Sequence, residues 1–309
     1  MEKLPYRDRL SGSYALMRSI WRRVQHWPVW LRWPVKWVIF AGVSFLVLYP
    51  RPALFVRHVQ HIRQMNRLPD PADPAVGPVA ARFDAFLSGL QTEEKDPRVL
   101  LAAVEAFVRR EIPYSWDWQT WGVVDYLPTV SEVITKGTED CDGRAVLAAT
   151  LLRAKGIDAR LVGDPRHMWV STPQGDTMEP LGAPVFRADD RGMSIRWRKL
   201  LDAGPIAFGV SIFPWGRQVV ILVTAWLLAL PLGRVKSTSF ARRGCPAVAL
   251  GLLLAALVVT RRAGADPLSP DYRGIGVAVG MVVAGAIVLG VAGRGSRHDR
   301  RQAAGNQPG

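Results

Sequence analysis

Cysteine is scarce in this chain of 309 residues, which has two, Cys141 and Cys245. They lie in unlike settings, one in a polar stretch and one beside an apolar run, which argues against a disulfide framework and leaves the redox compartment open. Histidine is thin as well. His26, His58, His61 and His298 are scattered without the spacing of a metal centre, so neither metal nor cofactor is expected. Acidic residues are in deficit, 26 against 40 Lys and Arg, for a net charge of +14. Such a balance suits nucleic acid or an anionic membrane surface. Here the basic residues crowd around apolar runs, which favours lipid head groups as partner and argues against nucleic acid. No small-residue cleavage motif follows the first apolar run, and its basic lead is too long for an ordinary cleaved signal peptide.

The apolar runs set the outer organisation. Residues 1–36 interleave Arg18, Arg22, Arg23, Arg32 and Lys36 with Trp21, Trp27, Trp30 and Trp33, a mixture that marks a membrane interface. Residues 37–49 form an apolar run that reaches spanning length if Val35 and residues 52–56 complete it. Three further runs, 219–232, 245–260 and 275–292, make about four transmembrane helices. The last carries Gly276, Gly280, Ala284, Ala286 and Gly290, which suit close helix packing. Cys245 reads as an inert interfacial cysteine in preference to a palmitoylated one. Arg234, Lys236, Arg242 and Arg243 in one loop and Arg294, Arg297, Arg300 and Arg301 in the tail should be cytoplasmic. That places the soluble domain on the extracytoplasmic side of a bacterial-type inner membrane, although Arg51, Arg57, Arg63 and Arg67 weigh the other way. The expected division is 1–56 for the basic segment and first span, 57–203 for the soluble domain, 204–293 for three spans and 294–309 for a disordered basic tail.

Within the soluble part, residues 57–78 read as a connector, because Pro69, Pro71, Pro74 and Pro78 oppose a regular element. Two amphipathic helices follow, 79–90 with Phe83, Phe86 and Leu90 on one face, and 97–111 with Leu100, Leu101, Val104 and Phe107. Both are expected to pack the core. Residues 113–126 carry Tyr114, Trp116, Trp118, Trp121 and Tyr126, either as hydrophobic core or as a groove wall in which the Trp121 indole N–H serves as an oxyanion donor. Residues 129–136 look like a short helix, with Thr129 as cap and Glu132 completing a capping box.

The stretch around Cys141 organises the rest. Ala145, Val146, Ala148, Ala149, Leu151 and Leu152 recur at helical spacing, and Gly156 follows Lys155 as a helix stop. The thiol therefore sits at a helix N-terminus, where unpaired backbone N–H groups favour thiolate, the nucleophilic form. Glu139, Asp140 and Asp142 push the other way. A cationic partner is needed, and His167 is the candidate. Residues 158–162 and 167–171 alternate as half-buried strands about a turn at Asp164 and Pro165, and a third strand covers 176–180. A three-residue loop closed by Gly175 would set Thr172 opposite Asp176 and Trp169 opposite Glu179. His167, Trp169 and Glu179 would then share one face and Asp176 would point away. A two-residue loop would reverse that arrangement.

Cysteine opening a helix, then histidine and a carboxylate on strands, is a nucleophile, base and orienter order. The run from Gly137 through Cys141 to Ala145, then Leu151 and Leu152, then Lys155 to Gly163, then His167 to Val170, resembles the core of the transglutaminase-like superfamily, papain-related cysteine enzymes. The likeness covers residues 112–182. It implies an α+β, papain-like domain with an antiparallel sheet, here joined to membrane helices, with Cys141 as nucleophile and His167 as general base. Glu179, followed by Pro180, stands where the family more often has aspartate. The implied reaction is acyl transfer through a thioester on an amide of a protein or peptide substrate, with hydrolysis favoured over amine acceptance. The alternatives are a true transglutaminase and a non-catalytic membrane scaffold using the fold as a peptide-binding module. The oligomeric state is left open.

Overall fold

The computed structural model describes residues 27–90, 97–189, 192–196, 202–230 and 240–305. The tryptophan-rich residues before 27 and the loop bearing Arg234 and Lys236 lie outside the described residues. The chain divides into two compact units. One holds the described residues up to Val47, Val219–Leu254 and Met281 onward; the other holds Leu48–Gln218 and Ala255–Gly280. The second unit thus contains residues 57–203 together with 48–56, 204–218 and 255–280.

Among the described residues, three helices are long and apolar enough to cross a membrane: Trp30–Leu48 in α1 (Val29–Leu48), Gly244–Ala263 in α10 (Phe240–Ala263), and Tyr272–Gly290 in α11 (Tyr272–Gly305). A fourth crossing exists only if α8 (Ala203–Ile212) and α9 (Trp215–Ala229) count as one broken span, for they meet at 116°. The expected run, 219–232, lies beyond the bend. The bend falls at Phe213, held extended at φ −69° and ψ 146° by the following Pro214, whose ring disfavours helix one residue upstream. The tail also departs from expectation, since α11 continues as helix to Gly305 where disorder was expected from 294.

In the larger unit, α2 (Pro52–Arg63) and a 3-10 turn (Met65–Arg67) occupy much of the expected connector. Proline at the first helical position of α2 costs no hydrogen bond, and Leu54 and His58 bury one face; the disruptive prolines cluster beyond Arg67. α3 (Val76–Gly89) and α4 (Pro97–Glu111) follow, then the single turn α5 (Asp117–Thr120) and α6 (Val130–Lys136). The Thr129 hydroxyl and the Glu132 carboxylate form the reciprocal capping box at the start of α6, and Gly137 closes that helix at φ 68°. α7 (Cys141–Ala154) is buried along nearly its whole length. It packs between α4, α6 and the sheet, with Val146, Leu147, Leu151 and Leu152 against Phe107, Val104 and Trp169 in one continuous core.

The sheet has five antiparallel strands in the order β3-β2-β1-β4-β5. They are β1 (Arg160–Asp164), β2 (His167–Thr172), β3 (Gly175–Thr177), β4 (Phe186–Asp189) and β5 (Gly192–Ile195). The last two form a hairpin beyond the three strands expected. β3 is shorter than the expected 176–180 because Met178 and Glu179 both take positive φ, 67° and 59°, which ends the ladder.

Candidate active site

Cys141 is the first residue of α7. Asp140 caps that helix, its carboxylate accepting the Asp142 N–H at 3.0 Å. The cap fixes the approach of the chain and leaves the Cys141 N–H without an intrahelical acceptor by position. Opposite, β2 begins at His167. The backbone N–H of Met168, the next residue, favours the thiolate of Cys141. Cys141 and His167 line one cavity of about 410 Å³.

The hairpin register differs from the expected one. Thr172 pairs with Gly175 and Ser171 with Asp176, so the loop has two residues, Pro173 and Gln174. Ser171, Trp169 and His167 then share a face with Asp176, which accepts a hydrogen bond from the Trp169 indole at 3.1 Å. The Trp169 ring is stacked on His167, centroids 6.2 Å apart. Continued one step, the register would set Trp169 opposite Met178, not opposite Glu179. Glu179 is accordingly not brought to the ring: its carboxylate is bound by Arg109, with more than half of its side chain exposed. The group at the imidazole is the Met178 carbonyl oxygen, 2.9 Å from His167 Nε2. With a carbonyl as partner, Nε2 must be the donor, which leaves the Nδ1 lone pair as the basic site.

Trp121, the expected oxyanion donor, is buried and gives its N–H to Glu139 Oε1 at 2.7 Å. Trp118 is different: it lines the cavity, and its buried indole N–H has no hydrogen-bond partner. Aromatic richness pointed to this segment without distinguishing one indole from the next.

The fold also gathers carboxyls that the sequence shows only as separate residues. Asp117 and Glu139 are fully buried, and ligand oxygens of Asp117, Glu139 and Asp140 lie within 4.8 Å of one another. Tyr126 N–H donates to Asp117 Oδ2 at 2.6 Å, while Asp117 Oδ1 and Glu139 Oε2 lack partners. Burial, reinforced by Asp140, pushes the Glu139 carboxyl up to about 8. Burial likewise lifts Asp140 to about 7, and raises Asp117 and Asp142 well above the usual carboxylate range. These oxygens are of the kind that could hold a hard cation, and Asp140, Cys141 and Asp142 make a second such group among the described residues. The Cys141 thiol is raised as well, first by burial and then by Asp140 and Asp142, with the Met168 backbone N–H acting against them. The resting site therefore favours the thiol, and deprotonation requires a base in the same cavity.

Residues 84–177 match the family model of the transglutaminase-like superfamily, a stretch that includes Cys141 and His167 and stops short of Glu179. The chain carries a transglutaminase-like domain together with three to four candidate membrane helices. No curated protein and no solved structure matches it.

Proposed function

We propose that the transglutaminase-like domain of this chain is a membrane-bound cysteine hydrolase of amides, with Cys141 as nucleophile and His167 as general base. The observation that carries the reading is the shared cavity of Cys141 and His167, with the imidazole tautomer fixed from behind by the Met178 carbonyl. In the proposed reaction His167 Nδ1 takes the thiol proton and the sulfur adds to the amide carbonyl carbon. The resulting oxyanion is met by the Cys141 N–H and the Trp118 indole N–H. His167 returns the proton to the departing nitrogen, and water, activated by the same ring, resolves the thioester. A carbonyl acceptor holds the ring but stabilises its charged form less than a carboxylate would. Activity should therefore depend on position more than on charge.

An activity-directed thiol electrophile applied to the full chain in vesicles tests this. Rapid labelling at Cys141 that is lost in His167→Ala supports the enzyme. Equally slow labelling of both proteins points to the scaffold.

A further inference from the structure

One wall of the cavity lies outside the matched stretch. Phe208, Gly209 and Ile212 of α8, with Phe213 just beyond, complete the space that Cys141 and His167 share with β4 and β5. α8 has no charged residue between Ala203 and Ile212, and its Ile206 is 65% exposed. A helix apolar all round belongs in a core or in lipid, and Ile206 is not in the core.

α8 is held by the ends of two candidate spans. Gly264, directly after α10, approaches Ala207 so closely that a Cβ at 264 would sit 2.1 Å from its carbonyl carbon. Gly204 meets Pro270 and Tyr272 in the same way, and the Tyr272 hydroxyl donates to Asp202, the cap of α8, at 3.0 Å. Arg261 donates to the Val210 and Phe213 carbonyls and stacks on Trp215 at 4.4 Å. Arg166, next to His167, donates to the Pro267 carbonyl in the same 264–271 turn. The candidate spans Gly244–Ala263 and Tyr272–Gly290 end and begin at that turn, which would stand at the boundary of an apolar layer that both cross. Trp215, Tyr272 and Arg261 are residue types that collect at such a boundary. The cavity shared by Cys141 and His167 is thus walled by a helix held at the turn that joins two candidate spans.

We infer that the site receives its amide from a membrane-anchored peptide, at the residues where that peptide leaves the bilayer, with apolar side chains of the peptide against Phe208, Ile212 and Phe213. The choice of an amide rests on the hydrolase reading; the seat against α8 does not. A free lipid fits less well, because the opposite side of the cavity presents the carboxyls of Asp117, Asp140 and Asp142, hydrogen-bonding groups that a peptide backbone can meet and an acyl chain cannot.

The test uses full-length Cys141→Ala protein in phosphatidylcholine vesicles and a photo-cross-linking peptide tied to the membrane by an N-terminal acyl chain through a short or a long spacer. Both forms are equally concentrated on the vesicle, so spacer length isolates position from enrichment. The short-spacer peptide is expected to cross-link to residues 204–213 at least about tenfold more than the long-spacer form. Phe208→Asp should erase that difference. Equal cross-linking by both spacers, or labelling confined to other segments, overturns the inference. So does a photoactivatable phospholipid that labels the same wall and is not displaced by the peptide. Cleavage by the unaltered chain is read separately: selective cross-linking without cleavage would refute the hydrolase and leave the seat standing.

Discussion

Arg109 and Glu179, 70 positions apart, meet as an ion pair beside β3, and that pair turns the Glu179 carboxylate away from the His167 ring. Glu179→Gln is therefore expected to keep amide-hydrolysing activity within about tenfold, whereas His167→Ala should lose about a thousandfold or more. Because both side chains of the pair are half exposed, Arg109→Gln should cost no more than about 1 kcal/mol of stability. Initial rates on a fluorogenic peptide check the first point and thermal unfolding the second. A Glu179→Gln protein as inactive as His167→Ala would return the orienting role to the carboxylate.

The two indoles near the nucleophile should separate cleanly. Trp118→Phe removes an unpartnered donor at the cavity wall and is expected to lower kcat about a hundredfold, with little change in KM. Trp121→Phe breaks a buried hydrogen bond to Glu139 and should act on stability first. Steady-state kinetics of the two variants, set beside their melting temperatures, would show if the assignments must be exchanged.

Asp142 faces the sulfur, with its Oδ1 3.5 Å from Sγ, and helps to hold the thiol protonated. Asp142→Asn removes the carboxylate that otherwise forms as pH rises, and should shift the pH profile of Cys141 alkylation to lower pH. An unchanged or alkaline-shifted profile contradicts the electrostatic account. Asp140 is the poorer choice, since it also caps α7.

Glu139 links pH to folding. Its carboxyl is lifted from the ordinary 4.5 to about 8 in the folded protein, so the folded state binds a proton that the unfolded state releases. Its contribution to stability is complete below about 4.5 and is lost as pH rises through about 8. The melting temperature should fall across that window, and Glu139→Gln, which keeps an acceptor for Trp121, should flatten the fall. A melting temperature that climbs over the same range would reject this assignment.

Local signals were legible in the sequence. The start of α7 at Cys141, the span of α4 and the Thr129–Glu132 capping box each depend on a few neighbouring residues, and each stands where the spacing placed it. The hairpin did not yield so easily. Thr172 Oγ1 accepts the Gln174 N–H and donates to the Gly175 carbonyl, which tightens the loop to two residues and leaves Gly175 in the ladder at φ 138°. Nothing in the composition of 172–176 distinguishes that loop from a longer one, yet the difference of one residue moves Glu179 off the face of His167. The acidic cluster and the α8 wall escaped for another reason: Asp117 and Asp140, or Phe208 and His167, come together only through tertiary contacts.

Met178 and Glu179, two successive residues in left-handed backbone, have an effect on how this site can be probed and how it can vary. The oxygen that steadies the imidazole belongs to the main chain, so replacing the Met178 side chain leaves that atom in place. An alanine scan would pass over it, and a comparison of side chains would find no third member of a triad. What inheritance would have to preserve at this point is a pair of torsion angles, and residues that tolerate them, such as glycine or asparagine, could replace either one without silencing the histidine.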